Sequence, residues 1–390
     1  MALTTDNLVE SAPRVIETPI ISADSHITEP GWTYVDNIDP SFRDRAPYLT
    51  DEQPDGAAFH VPGMNQTIHL GLHSAAGRAS DSLAMRGTPF DGLHRAGWDA
   101  KARVAAQQAD GLDGEVIYPS VGMLLCNHPD LDLKKAMFDA YNRWISEYCA
   151  VAPDRLFGCG QTALRTPEEG IADLEAIKAA GLRGVMMPGI PGPAYDEGPD
   201  YDDPAWDELY RAAVDLGLVL SFHILTGKSY RARGPKLNNF MSIIRGNQDL
   251  IGTFVFGGVF DRIPDLRIVC VEADAGWVPH YAYRMDHAYH RHRNWLKGSA
   301  TLGRKPSEYV ADHVYVTFQD DWSAFRMAEA GLIEVDRLLW ANDFPHSDST
   351  WPYSQHMLAE QTADLSEEAR RKILGGNTIE LYGLHDVVGR

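Results

Sequence analysis

What most constrains this chain is a rhythm of short apolar runs separated by longer amphipathic stretches. Pro19–Ala23, Glu115–Tyr118, Leu156–Gly160, Gly184–Met187, Val219–His223, Arg267–Glu272, Val314–Phe318 and Leu338–Trp340 each read as a buried strand. Between them, Gly97–Asp110, Leu131–Ala152, Pro167–Ala180, Pro204–Leu216, Asn239–Phe260, Trp277–Leu296 and Trp322–Ala330 read as helices. Two more helices are expected near 353–362 and 366–374. Pro167 opens one helix and Gly181 closes it, and Gly217 closes the next, as helix start and stop chemistry requires. Strict alternation of strand and helix implies parallel strands joined by right-handed crossovers. Eight such units favour a closed α/β (β/α)8 TIM barrel over an open doubly wound sheet. No Gly-x-Gly-x-x-Gly follows a strand, so a dinucleotide fold is unsupported.

The organisation expected is an arm over 1–19 and one barrel domain over 20–390. Residues 31–95 form an irregular cap inserted after strand one, with short strands near 58–61 and 67–70. A segment of that length without regular periodicity is usually functional. The formal charge of −20, from 55 acidic against 35 basic residues, argues against nucleic acid or an anionic membrane as partner. A small molecule is the expected ligand. Cys126, Cys149, Cys159 and Cys270 form no CxxC pair and read as free thiols of a cytoplasmic protein. Neither a signal peptide nor a membrane-spanning run is recognised.

In a barrel the carboxyl ends of all strands converge on one mouth. Strand one ends in Asp24 and His26, strand five in His223, strand six in Glu272, and strand eight in Asp343 followed by His346. Alternate residues of a strand share a face, so Asp24 and His26 point into the same cavity. Imidazole and carboxylate donors without thiolate suit a divalent ion such as Zn, Mn or Fe. Two ligands from strand one, Asp24 and His26, one from strand five, His223, and one from strand eight, which ends in Asp343 and then His346, would enclose an ion near the barrel axis. The expected catalytic groups are Glu272, Asp343 and His346, an acid among them transferring the proton. Arg284 offers Glu272 a structural alternative as an ion-pair partner. His280, His287, His290 and His292 read as helix surface. Of His60, His69, His73 and His94 in the insertion, one could reach the mouth. Lys228, Arg231 and Arg233 would offer cationic groups in a roof formed with 31–95 and 188–203.

These motifs carry a resemblance. ADSHITEP, SFHI, VEADAGWVPHYAYRMD, ANDFPHSDSTWP and GGNTIELYGL, in that order, resemble the amidohydrolase superfamily, in the branch typified by aminocarboxymuconate-semialdehyde decarboxylase. The resemblance implies a (β/α)8 barrel, commonly dimeric, with one divalent metal held by Asp24, His26, His223 and Asp343, and a homo- or hetero-oligomer is expected. Two positions depart from the branch: the first motif is Asp-Ser-His, and Ala273 stands where the decarboxylases carry a catalytic histidine. The expected function is a metal-dependent hydrolase or decarboxylase of a small carboxylated or cyclic substrate. The alternatives are a dinuclear non-haem iron monooxygenase, with Glu272 and His346 helping to hold a second ion, and a non-catalytic partner subunit of a hetero-oligomer.

Overall fold

The structure is a computed structural model that describes residues 14–192, 198–227, 232–296 and 298–388. Lys228 and Arg231, expected to line the roof, lie outside the described residues. Eight strands form one parallel sheet in chain order: β1 (Ile21–His26), then β5 (Gly114–Tyr118), β6 (Leu156–Gln161), β7 (Gly184–Met187), β8 (Val219–His223), β9 (Ile268–Val271), β10 (Val314–Phe318) and β11 (Leu338–Trp340). Every residue of these eight strands is buried, as expected for parallel strands covered by helices. The ring is joined between its first and last strands through the residues just beyond β11. Asp343 N–H donates to Asp24 C=O (3.0 Å), and His26 N–H donates to Phe344 C=O (2.7 Å).

The insertion carries a small antiparallel sheet of β2 (Tyr48–Glu52), β3 (Gly56–His60) and β4 (Ile68–His69). Two of its strands were expected. The third is half polar and exposed, YLTDE, with no hydrophobic alternation to announce it. The insertion is docked on the barrel mouth: Ala75 and Ala76 N–H both donate to Pro345 C=O, and Ser347 N–H donates to Leu72 C=O.

The expected helix over Asn239–Phe260 is three pieces, Leu237–Phe240, Arg245–Phe256 and Val259–Arg262, the last break falling at Gly258 with φ 71°. Four short helices were not expected: Trp32–Val35, Val121–Leu125, Pro306–His313 and Asn377–Tyr382. At the N-terminal end, Val15 and Ile16 N–H donate to Gln355 Oε1 and Ile16 is buried, so the described end of the arm is seated on the barrel. No helix among the described residues is long and apolar enough to cross a membrane.

Candidate metal centre

Each functional side chain is delivered by the end of a barrel strand. β1 carries an extra residue relative to β5, a register shift between Ser22 and Ser25. Bulges of this kind re-aim side chains next to active sites. Asp24, within the bulge, and His26, just beyond it, face the same cavity, His26 Nε2 lying 3.4 Å from Asp24 Oδ1. β8 presents His223, whose Nε2 is 3.7 Å from Asp24 Oδ1 and 3.2 Å from His26 Nε2. After β9 the backbone turns left-handed at Glu272 (φ 54°), and Glu272 Oε2 stands 3.5 Å from His223 Nε2. After β11, Asp343 is again left-handed (φ 51°), placing its Oδ1 3.4 Å from His26 Nε2. Non-glycine residues in that region store strain, which concentrates at functional sites. The turn closed by His346 N–H to Asp343 C=O (3.0 Å) brings His346 Nδ1 to 3.1 Å from Asp343 Oδ1.

The ring nitrogens facing away from the cluster decide the tautomers. His26 Nδ1 lies 3.0 Å from Pro119 C=O, and His223 Nδ1 lies 3.0 Å from Ile224 C=O. A carbonyl only accepts, so both Nδ1 atoms carry protons and both Nε2 lone pairs face inward. For His346 the relation is reversed. Ser120 Oγ donates to Ile27 C=O (2.6 Å), so the 2.8 Å contact between Ser120 Oγ and His346 Nε2 is a donation from the imidazole. The lone pair of Nδ1 then faces Asp343.

Three inward lone pairs meet four carboxylate oxygens. Asp24 Oδ1 and Oδ2 and Asp343 Oδ1 and Oδ2 are buried and have no hydrogen-bond partner. Acceptor facing acceptor in a dry cavity is unfavourable unless a cation or proton lies between them. The donor set fits a divalent ion. Two four-residue groups bring one ligand atom each within 4.8 Å of the others: Asp24, His26, His223 and Glu272, and His26, Glu272, Asp343 and His346. They share His26 and Glu272.

The electrostatics follow the same geometry. Burial, then the charge of His346, holds His26 down at about 3, and burial, then the charge of His223, does the same to His346. Burial raises Asp24, but the close approach of the His223 and then the His26 imidazole outweighs it and keeps this carboxyl below its usual range. Burial, then the neighbouring Asp343 charge, lifts Glu272 well above its range. Asp343 is lifted the same way by burial and then Asp24.

Arg284 is exposed on its helix and the group beside Glu272 Oε2 is His223, at 3.5 Å, so the Arg284 alternative is corrected. His280, His287 and His290 are exposed, as a solvated helix face requires. Two contributors were not singled out in the sequence. His73, from the insertion, brings its ring centroid 5.6 Å from that of His346, and its Nδ1 is buried without a partner. Arg103 is fully buried. It pairs with Glu115 (2.5 Å) and donates to the carbonyls of His26 (2.5 Å) and Phe344 (3.1 Å), tying together the two segments that carry Asp24, His26 and Asp343. Its position inside an ordinary helical pattern gave no signal.

A buried His/carboxylate cluster at the carboxyl ends of a parallel eight-stranded barrel defines a metal-dependent barrel enzyme. The chain belongs to the amidohydrolase family, whose model matches residues 126–384. A similar protein is 2-amino-3-carboxymuconate-6-semialdehyde decarboxylase of Dictyostelium discoideum. It is 25% identical over 294 residues, covering 74% of this chain and 77% of the relative. Among solved structures, an amidohydrolase from Mycobacterium avium subsp. paratuberculosis K-10 matches with a TM-score of 0.74 at 19% identity, over 95% of this chain and all 100% of that one. The 5-carboxyvanillate decarboxylase of Novosphingobium aromaticivorans, crystallised with manganese and 4-hydroxy-3-methoxy-5-nitrobenzoic acid, matches at 0.68 and 19% identity, over 94% and 96% of the two chains.

Proposed function

We propose that the chain is a divalent-metal-dependent decarboxylase of a small, carboxylated cyclic substrate. One observation carries the metal: the four unpartnered, buried oxygens of Asp24 and Asp343 against inward-facing imidazole lone pairs. Asp24, His26, His223 and Asp343 are assigned as ligands. The decarboxylase names of the Dictyostelium and Novosphingobium relatives support loss of CO2 over hydrolysis, and the manganese of the latter supports Mn among Zn, Mn and Fe.

When bound, the ion supplies polarisation of substrate oxygens. The proton comes from the protein. Glu272, in which burial and then the neighbouring Asp343 favour the protonated form, presents Oε2 3.5 Å from His223 Nε2. It donates that proton to the ring carbon as the bond to the carboxylate breaks and CO2 leaves, and solvent reprotonates it. Glu272 so fills the role vacated by Ala273, the neighbour that replaces the branch's histidine. His346, with its lone pair inward, serves as ligand or proton acceptor and not as donor.

The second four-residue group favours a second reading, two ions and iron-based oxygenation, because Glu272 and His346 can hold an ion with His26 and Asp343. Four free, buried cysteines support the cytoplasmic setting. Exposed Tyr283, Trp295 and Leu296 support association with a second copy or a related chain. The test is elemental analysis of protein purified without an affinity metal, with CO2 release and oxygen uptake measured on a panel of hydroxylated aromatic acids. About one ion per chain and CO2 release, both lost in Asp343→Asn, is expected. Two irons with oxygen uptake would install the second reading, and a metal-free, inactive chain would leave the partner-subunit role.

A further inference from the structure

A cavity of about 1540 Å³ opens beside His223, larger than the roughly 300–1,000 Å³ of an ordinary small-molecule site. Its wall is mostly apolar: Phe222 and Ile224 flank His223 on β8 and its continuation, Leu250 and Phe256 come from the helix Arg245–Phe256, and Leu237 and Phe240 stand at the rim. Leu237 and Phe240 are 82% and 61% exposed, an unusual state for large apolar side chains unless something covers them. The charged residues on the described wall are Asp200, Lys236 and Asp249, which give an anionic body no net attraction.

The helix itself carries the sharper observation. Gly252 lies well inside Arg245–Phe256 and lines the cavity. Glycine there costs about 1 kcal/mol of helix stability relative to alanine. Neither common reason for an interior glycine applies. A Cβ at Gly252 would meet its nearest neighbours, Tyr281 Oη and Phe256 Cδ2, at 3.6 and 3.9 Å, ordinary contact distances, and φ is not positive. Gly246, on the same helix and also on the wall, would place a Cβ in open space. Both positions on the cavity wall therefore accept a Cβ without collision, and neither glycine is there to relieve a clash.

We infer that this cavity is a subsite for an apolar, uncharged substrate body larger than a single ring, reached from a polar head group held at the metal centre beside His223. The inference rests on the proposed metal-dependent function for the head and on the cavity alone for the body.

The experiment is calorimetric titration of metal-loaded protein with n-alkyl hydroxamic acids, from acetohydroxamate to decanohydroxamate, in the wild type and in Gly252→Leu and Gly246→Leu. Affinity is expected to rise about threefold to fourfold per added methylene until the cavity is filled. Either leucine variant is expected to lose about tenfold or more for the long chains and to leave acetohydroxamate binding and metal content unchanged. Circular dichroism checks the fold of each variant, and one folded variant suffices. Affinity independent of chain length, or a slope that survives the leucines, would overturn the subsite. n-Alkanols from butanol to decanol, which need no metal, are titrated in parallel against metal-free protein. If metal and hydroxamate binding fail but the alkanol slope and its loss in the variants persist, the metal reading falls and the subsite stands. If the alkanol slope is also flat, the subsite falls.

Discussion

His346 owes its inward lone pair to one hydroxyl. Ser120 Oγ spends its proton on Ile27 C=O and so compels the imidazole to donate through Nε2. Ser120→Ala removes that constraint, and losing an outer partner of a ligand typically costs 10–100-fold in metal affinity. A loss of about tenfold or more, read by chelator competition with the fold intact, is the expected outcome if His346 is a ligand; unchanged affinity would restrict it to proton transfer. Glu29 makes a second residue-scale case. Its carboxylate accepts from Ser120, Val121 and Gly122 N–H, yet burial lifts it from 4.5 to about 7. The folded protein therefore keeps a proton that the unfolded chain releases above 4.5, so this group's contribution is full below 4.5 and lost as pH rises to about 7. Urea denaturation of wild type and Glu29→Gln across that range should show the variant gaining on the wild type by up to about 3 kcal/mol. Site residues were legible where chemistry followed an apolar run. Asp24, His26, His223, Glu272 and Asp343 all sit at strand ends, and the structure brings them together with His346. His73 was one of four undistinguished histidines in a segment without periodicity, and only the docking of Leu72–Ala76 against Pro345 and Ser347 places it.

Among elements, the strands were the most legible, because parallel strands buried on both faces are continuous apolar runs bounded by turn residues. Short helices were hard to read for the opposite reason. Val121–Leu125 is five residues long, has no side-chain cap of its own, and borrows the carboxylate of Glu29 from another segment. The motif GGNTIELYGL proves to be architectural. Asn377 Nδ2 donates to Val335 and Leu338 C=O, and a Cβ on Gly375 would strike Pro19 C=O at 2.7 Å. The helix Ala100–Ala109 looks like an ordinary outer helix, yet it contributes the clamp at Arg103. Arg103→Met leaves Glu115 buried without its ion-pair partner, and breaking a buried pair costs about 3–5 kcal/mol. Chemical denaturation should show a loss of that size, partly recovered in the double variant with Glu115→Leu, while metal affinity stays reduced in both.

At the scale of the molecule, the barrel and the centre are one construction. The proposed ligands come from β1, β8 and the segment after β11, so an ion held by them would tie separate parts of the sheet together. Adding the preferred ion at 100 times its dissociation constant should raise the unfolding free energy by about 2.7 kcal/mol, and a chelator should remove that increment. A thermal melt insensitive to both would contradict the metal centre. The eightfold rhythm made this architecture readable. The cavity was not readable, since its wall draws on β8, a loop and a helix that sequence spacing does not relate. The clamp of Arg103 on His26 and Phe344 has a consequence for biosynthesis. A nascent chain that has exposed His26 and Arg103 still lacks Asp343, Phe344 and His346, so the second four-residue group is incomplete and the segment carrying His26 is held at one end only. Tight metal loading should therefore follow release of the C-terminal segment, and ribosome-bound chains halted before residue 338, which carry Asp24, His26, His223 and Glu272 alone, should hold metal more weakly than the full chain.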